Sequence, residues 1–269
     1  MADPGALGPA LVAALLASVL AGFVGTTVVL RKLVALGGGV AHAAFGGIGL
    51  ALVLGVEPRL GAIAVALVAA AGLSSPKIAG GERQDAVIGV LWAVGMALGI
   101  WWLSGRELSD TGVEGYLFGD LAAVRAPDLL LLAGLDVAVI ALLARYGREL
   151  VATAFDVEHA ELQGLPVRAL GFVLLLLVSL SVVALLGLVG IVLAIALLSI
   201  PALVALRHFR SLAAIVAAGC VVALAMSLTG LALAQRLDRP PGPAIVLVGA
   251  TLLGLSRLLP SLAARGRRS

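Results

Sequence analysis

His42 is the residue of this chain best placed to handle a metal ion. It stands in Leu36-Gly-Gly-Gly-Val-Ala-His-Ala-Ala-Phe-Gly-Gly-Ile-Gly-Leu50, with Gly38 one helical turn before it and Gly46 one turn after. A neutral imidazole ligates transition metals well, and a histidine at bilayer depth is costly enough to be read as functional by default. The flanking glycines leave room beside the ring for an ion or for a second helix. The competing reading is a histidine that hydrogen-bonds a neighbouring helix and does nothing more, since no second ligand stands beside it. Asp136, also inside an apolar run, reads more readily as a partnered or protonated acid than as a ligand. His159 and His208 fall in polar stretches and read as solvated. Pro201, in Leu197-Leu-Ser-Ile-Pro201, removes one helical hydrogen bond and should kink its helix, as a moving, cavity-lining element or as a static bend.

Catalytic signatures are missing. There is no Gly-x-x-x-x-Gly-Lys-Ser/Thr to cradle ATP and no His-Glu-x-x-His for a metalloprotease. A membrane enzyme acting on lipid or prenyl diphosphates would need clustered acids to hold its metal, and no such pair occurs. The single cysteine, Cys220, lies in an apolar run, which excludes a disulfide framework and a cysteine metal site.

The elements that must position these residues are membrane helices. Of 269 residues, 62% are hydrophobic and 12% charged, and mean hydropathy is +1.18; soluble globular chains are about 45–50% apolar and about 25% charged. That composition excludes a cytosolic enzyme, a nucleic-acid binder and a disordered chain. The net charge of +3 arises from basic residues that punctuate the apolar runs and form no stripe. About 20 apolar residues in a helix cross a ~30 Å hydrocarbon core. Spans fall at 10–30, 34–55, 60–75, 86–103, 127–144, 167–186, 188–206, 211–233 and 243–259. The count is nine, or eight if the pair around Gly187-Leu-Val-Gly190 is partly re-entrant. The first run is longer than a signal-peptide core and lacks a basic start, so it reads as a retained span. Within the second span, Ala43, Gly47, Ala51 and Gly55 recur every four residues, a small-residue ladder that admits another helix closely.

With the Arg31-Lys32 loop inside, thirteen of the eighteen basic residues lie on the cytoplasmic side and five outside, as the positive-inside rule requires. Glu107, Asp110 and Glu114 then face outward, to attract cations, to meet a partner, or simply to keep a loop soluble. The longest inside loop, 145–168, contains Phe155-Asp-Val-Glu-His-Ala-Glu-Leu-Gln-Gly164 followed by Leu165 and Pro166. Asp156 suits an N-cap, Glu158 favours the first turn, Gly164 suits the C′ position and Pro166 forbids continuation. Either a short helix that docks onto another protein or an ordinary solvated loop fits this pattern. No internal repeat is visible, which weakens a secondary transporter without removing it.

Several stretches, taken together and in order, resemble the permease subunits of metal-cation ABC transporters, the zinc, manganese and iron importers of bacteria and archaea. They are Leu36–Gly49, Asp85-Ala-Val-Ile-Gly-Val90, Tyr116-Leu-Phe-Gly-Asp120, Phe155–Gly164, Val189–Ala202 and Pro241-Gly-Pro-Ala-Ile-Val246. The resemblance implies an all-α polytopic bundle of eight or nine membrane helices, with residues 1–269 forming a single transmembrane domain in the cytoplasmic membrane. It implies no catalysis and no resident cofactor, a divalent metal ion as substrate, and three partners: a separate ATPase, an extracytoplasmic metal-binding protein and a second permease copy. It makes Asp156, Glu158 and Gly164 part of a cytoplasmic coupling helix against the ATPase, places His42 on the ion path, and leaves Gly38, Gly46, Gly47 and Pro201 as path-lining or helix-packing positions. One departure stands out. The family motif resembles Gly-Asp-x-x-Ser/Ala-His, and its aspartate position is Gly38 here. An i, i+4 pair shares a helix face and could hold one ion together, so the departure implies a depleted site, a ligand from another helix, or a different cargo. A permease for a metal chelate is the alternative within transport.

Overall fold

The computed structural model describes residues 4–75, 78, 81–104, 119 and 124–258. Among these residues the chain is wholly helical: α1 Pro4–Leu30, α2 Val34–Leu54, α3 Pro58–Leu73, α4 Gly81–Leu103, α5 Ala126–Phe155, α6 Val157–Leu162, α7 Val167–His208, α8 Leu212–Leu237 and α9 Pro241–Leu258. Seven of the nine are long and apolar enough to cross a membrane, while α3 has 16 residues. Among the described residues the nine apolar segments of the sequence map onto eight helices, because the two spans expected at 167–186 and 188–206 are a single helix, α7. Glu107, Asp110, Glu114, Lys77 and Arg265–Arg268 lie outside the described residues.

Hydropathy marks where apolar side chains stop, not where helices stop. The 145–168 stretch is largely helical: α5 runs on to Phe155, bending at Tyr146 (φ −127°, ψ 16°), where the Arg145 guanidinium stacks 4.7 Å from the phenol ring. Polar residues such as Arg148 and Glu149 are good helix formers in water, so the helix outlasts its apolar run. In α7, 42 residues would make a straight rod about 63 Å long at 1.5 Å per residue. The backbone breaks at Gly190 (φ 75°, ψ 171°), a region essentially reserved for glycine. Gly119, itself at φ 69°, packs against this break: a Cβ there would lie 2.5 Å from the Gly190 nitrogen. The backbone leaves helical geometry at Gly190, whereas Pro201 is buried inside the helix.

The helices partition into two compact units. One contains α1 to Val29, α5 to Asp136, α7 from Ala184, α8 and α9. In it, α9 packs along α8, Gly230 lying against Ile245 and Gly249 against Met226. Arg207 at the end of α7 donates to the Ser256 and Arg257 carbonyls at the end of α9 (2.8 and 3.0 Å). The other unit contains α2, α3, α4, α5 from Val137, α6 and α7 to Val183, and it holds the candidate site.

Candidate functional site

The site is built on α2, whose residues Leu36 to Gly49 are all buried. Burial on every side requires close neighbours, and the small residues admit them. Along one stripe of α4, Ile88, Trp92, Gly95 and Gly99 meet Gly39, Gly38, Gly46 and Gly49 of α2 in turn. Ile88 and Trp92 meet the start of α2 while Gly95 and Gly99 meet residues progressively further along it, so α2 and α4 run parallel. A Cβ on Gly46 would sit 2.8 Å from the Gly95 carbonyl oxygen. On another stripe α3 is seated, with Gly61 against Gly47 and Ala51; a Cβ on Gly61 would lie 2.8 Å from the Ala51 Cβ. Without a hydrophobic driving force between helices in lipid, such backbone approach maximises dispersion contact. The expected room beside Gly38 and Gly46 is therefore occupied, by a tryptophan ring in one case and by a helix backbone in the other.

His42 is 8% exposed. Its Nδ1 lies 2.8 Å from the Gly38 carbonyl oxygen, one turn back on the same helix. A carbonyl oxygen only accepts, so Nδ1 carries a proton, and in the neutral imidazole the free lone pair is then the one on Nε2. Metal-ligating histidines are commonly held in this way, with the second nitrogen donating to a backbone carbonyl. The Trp92 ring stacks on the imidazole at 4.4 Å between centroids and 24° between planes. It also lies over Gly38, where a Cβ would approach the indole to 3.0 Å. Trp92 thus fills the space that an acidic side chain at position 38 would enter. Sequence reasoning missed it, although its spacing from Ile88, Gly95 and Gly99 marks one helical face.

No cluster of three or more histidine, cysteine or acidic residues in metal-holding geometry occurs among the described residues. Asp136 is 6% exposed and neither carboxylate oxygen has a hydrogen-bond partner among the described residues, an environment that suits the protonated acid of the two readings. Pro201 belongs to the other unit.

At the coupling segment, Asp156 adopts extended geometry and its Oδ1 accepts from the His159 backbone N–H at 2.9 Å, capping α6. The helix ends with Gly164 at φ 76°, its N–H bonded to the Glu161 carbonyl (2.9 Å), and with the Leu165 N–H bonded to the Ala160 carbonyl (3.1 Å). This pair of bonds is a Schellman motif, for which the left-handed glycine is the usual residue. Ala160 is the buried anchor of the turn, whereas Val157, Glu158 and Leu162 are exposed, Leu162 by 86%. An apolar side chain projecting so far from a doubly capped turn is a surface suited to a protein partner.

The profile of the ABC 3 transport family matches residues 5–259. The chain belongs to the ABC 3 transport family. It is accordingly a multi-pass membrane permease of an ABC transporter, and ATP hydrolysis resides on a separate subunit. The permease is 37% identical over 241 residues to membrane protein slr2045 of Synechocystis sp. (90% of this chain, 86% of that one). It is 30% identical over 250 residues to the manganese transport system membrane protein MntC of Halalkalibacterium halodurans (93% and 86%). Among solved structures, PsaBC from Streptococcus pneumoniae in complex with Fab superposes with a TM-score of 0.83 at 28% identity, covering 98% of this permease and 95% of that chain.

Proposed function

We propose that residues 1–269 act as one transmembrane domain that carries a divalent metal ion, manganese-like in its coordination preferences, inward across the cytoplasmic membrane. The observation that carries this reading is the buried His42, fixed through Nδ1 so that Nε2 is presented as a ligand. Similarity to a manganese transport protein supports the class of cargo. A lone imidazole without the family's carboxylate binds weakly, and weak binding suits passage, because an ion held too tightly does not leave. A separate ATPase docks on Asp156–Gly164, with Asp156 and Gly164 setting the shape of α6 and Glu158 presenting charge on it. An extracytoplasmic metal-binding protein delivers the ion, and a second copy or a related permease completes the pathway. Gly38, Gly46 and Gly47 act by helix packing and Pro201 by shaping α7.

The test is uptake of radiolabelled manganese by proteoliposomes containing the permease and its ATPase. His42→Ala should reduce uptake at least tenfold while ATPase assembly is retained. Uptake within twofold of the parent would remove His42 from the path.

A further inference from the structure

In the unit that carries α2 to α6, a cavity of about 530 Å³ opens beside the coupling segment. It is bounded by the end of α3, the start of α4, the end of α5, α6 and the first turns of α7. Its polar wall consists of Arg31, Ser74, Gln84, Thr153, Glu161 and Arg168. Its opposite character is equally marked: Leu73, Phe172, Leu174 and Leu175 line it too, and Phe172 is 39% exposed, so the apolar wall reaches the surface. Arg31 is anchored, donating through Nη2 to the Leu150 carbonyl (3.1 Å) and to Thr153 Oγ1, while its buried Nε has no hydrogen-bond partner among the described residues. Burial pulls the Arg31 guanidinium below its ordinary pKa, a penalty that a nearby anion would relieve.

We propose that this cavity binds the headgroup of an anionic phospholipid of the cytoplasmic leaflet, with Arg31 and Arg168 on the phosphodiester and the α7 leucines along an acyl chain. Among the described residues of the wall, two arginines less one glutamate leave a single positive charge, which suits a monoanionic phosphodiester. Basic pockets between membrane helices on the cytoplasmic side bind such headgroups, and free phosphate would have no use for the apolar half. The cytoplasmic placement rests on the positive-inside orientation. Because α6 contributes Val157 and Glu161 to the wall, occupancy supports the coupling segment from the membrane side.

The experiment is native mass spectrometry of the full-length permease titrated with phosphatidylglycerol or phosphatidylcholine in detergent. The parent should retain phosphatidylglycerol preferentially at one molecule per chain. Arg168→Gln, at an exposed position, should weaken that binding about fivefold, given roughly 1 kcal/mol per basic residue near a membrane surface. Glu161→Gln should tighten it by a similar factor, a change of opposite sign that general destabilisation does not produce. Inorganic phosphate at millimolar concentration should not displace the lipid. Equal retention of both lipids, no opposed response of the two variants, or displacement by phosphate alone would each overturn the proposal.

Discussion

Gly38→Asp restores a carboxylate one turn from His42, and the packing of α2 on α4 sets what it costs. The new Cβ would lie 3.0 Å from the Trp92 ring, tighter than most carbon contacts, so the indole must give way to admit the Cβ and the carboxylate beyond it. Trp92 is 43% exposed and has room to do so. Displacing it forfeits its stack on His42, about 0.5–1.5 kcal/mol for an aromatic pair. A charged aspartate within the membrane adds about 2.5–3.5 kcal/mol on insertion scales, and the better helix propensity of aspartate over glycine returns only a few tenths. The metal-free variant should therefore be less stable by about 3–5 kcal/mol. A divalent ion that gains the second ligand offsets about 2.7 kcal/mol of this at a concentration one hundred times its Kd. The assay is thermal unfolding of the detergent-purified permease with and without manganese, on the parent, Gly38→Asp, Trp92→Ala and the double variant. The double variant should lie above the sum of the two single effects, since Trp92→Ala removes the obstruction, and manganese should stabilise Gly38→Asp more than the parent. Strict additivity together with equal manganese shifts would refute the claim that Trp92 occupies the carboxylate's place.

Two further expectations concern the backbone. Gly190→Ala, at a φ/ψ essentially confined to glycine, should destabilise the permease by about 1–3 kcal/mol, whereas Gly187→Ala, exposed and with nothing within 4 Å of the new Cβ, should be neutral or stabilising; equal melting shifts would dismiss the break as a local constraint. Asp156→Ala should cost the α6 cap, about 0.5–2 kcal/mol, and lower transport-coupled ATPase activity, with Asp156→Asn restoring both; full coupling in Asp156→Ala would separate the cap from the docking surface.

Much of this architecture was legible in the chain itself because lipid imposes one-dimensional rules. A segment that crosses hydrocarbon must satisfy its backbone internally and be apolar along its length, so composition locates the apolar helices, although it divides α7 into two spans and counts the 16-residue α3 as one. The caps at Asp156 and Gly164 were also legible, since an N-cap, a left-handed glycine and a following proline act within a few residues, although the pattern alone left a docking helix and a solvated loop both open. Tertiary structure decided what depends on contacts between helices. Hydropathy could not reveal that α5 continues to Phe155 in polar surroundings, nor that the two runs meeting at Gly187–Gly190 form one helix broken at Gly190, where the backbone of Gly119 comes close. Nor could it say what fills the space next to a glycine. At Gly38 and Gly46 the sequence shows only missing side chains, and a missing side chain can mean an open path or an intimate packing contact. The parallel approach of α4 decided for packing, bringing Trp92 from fifty residues away onto His42, because which helix face meets which is fixed by the fit of two surfaces and not by either sequence alone.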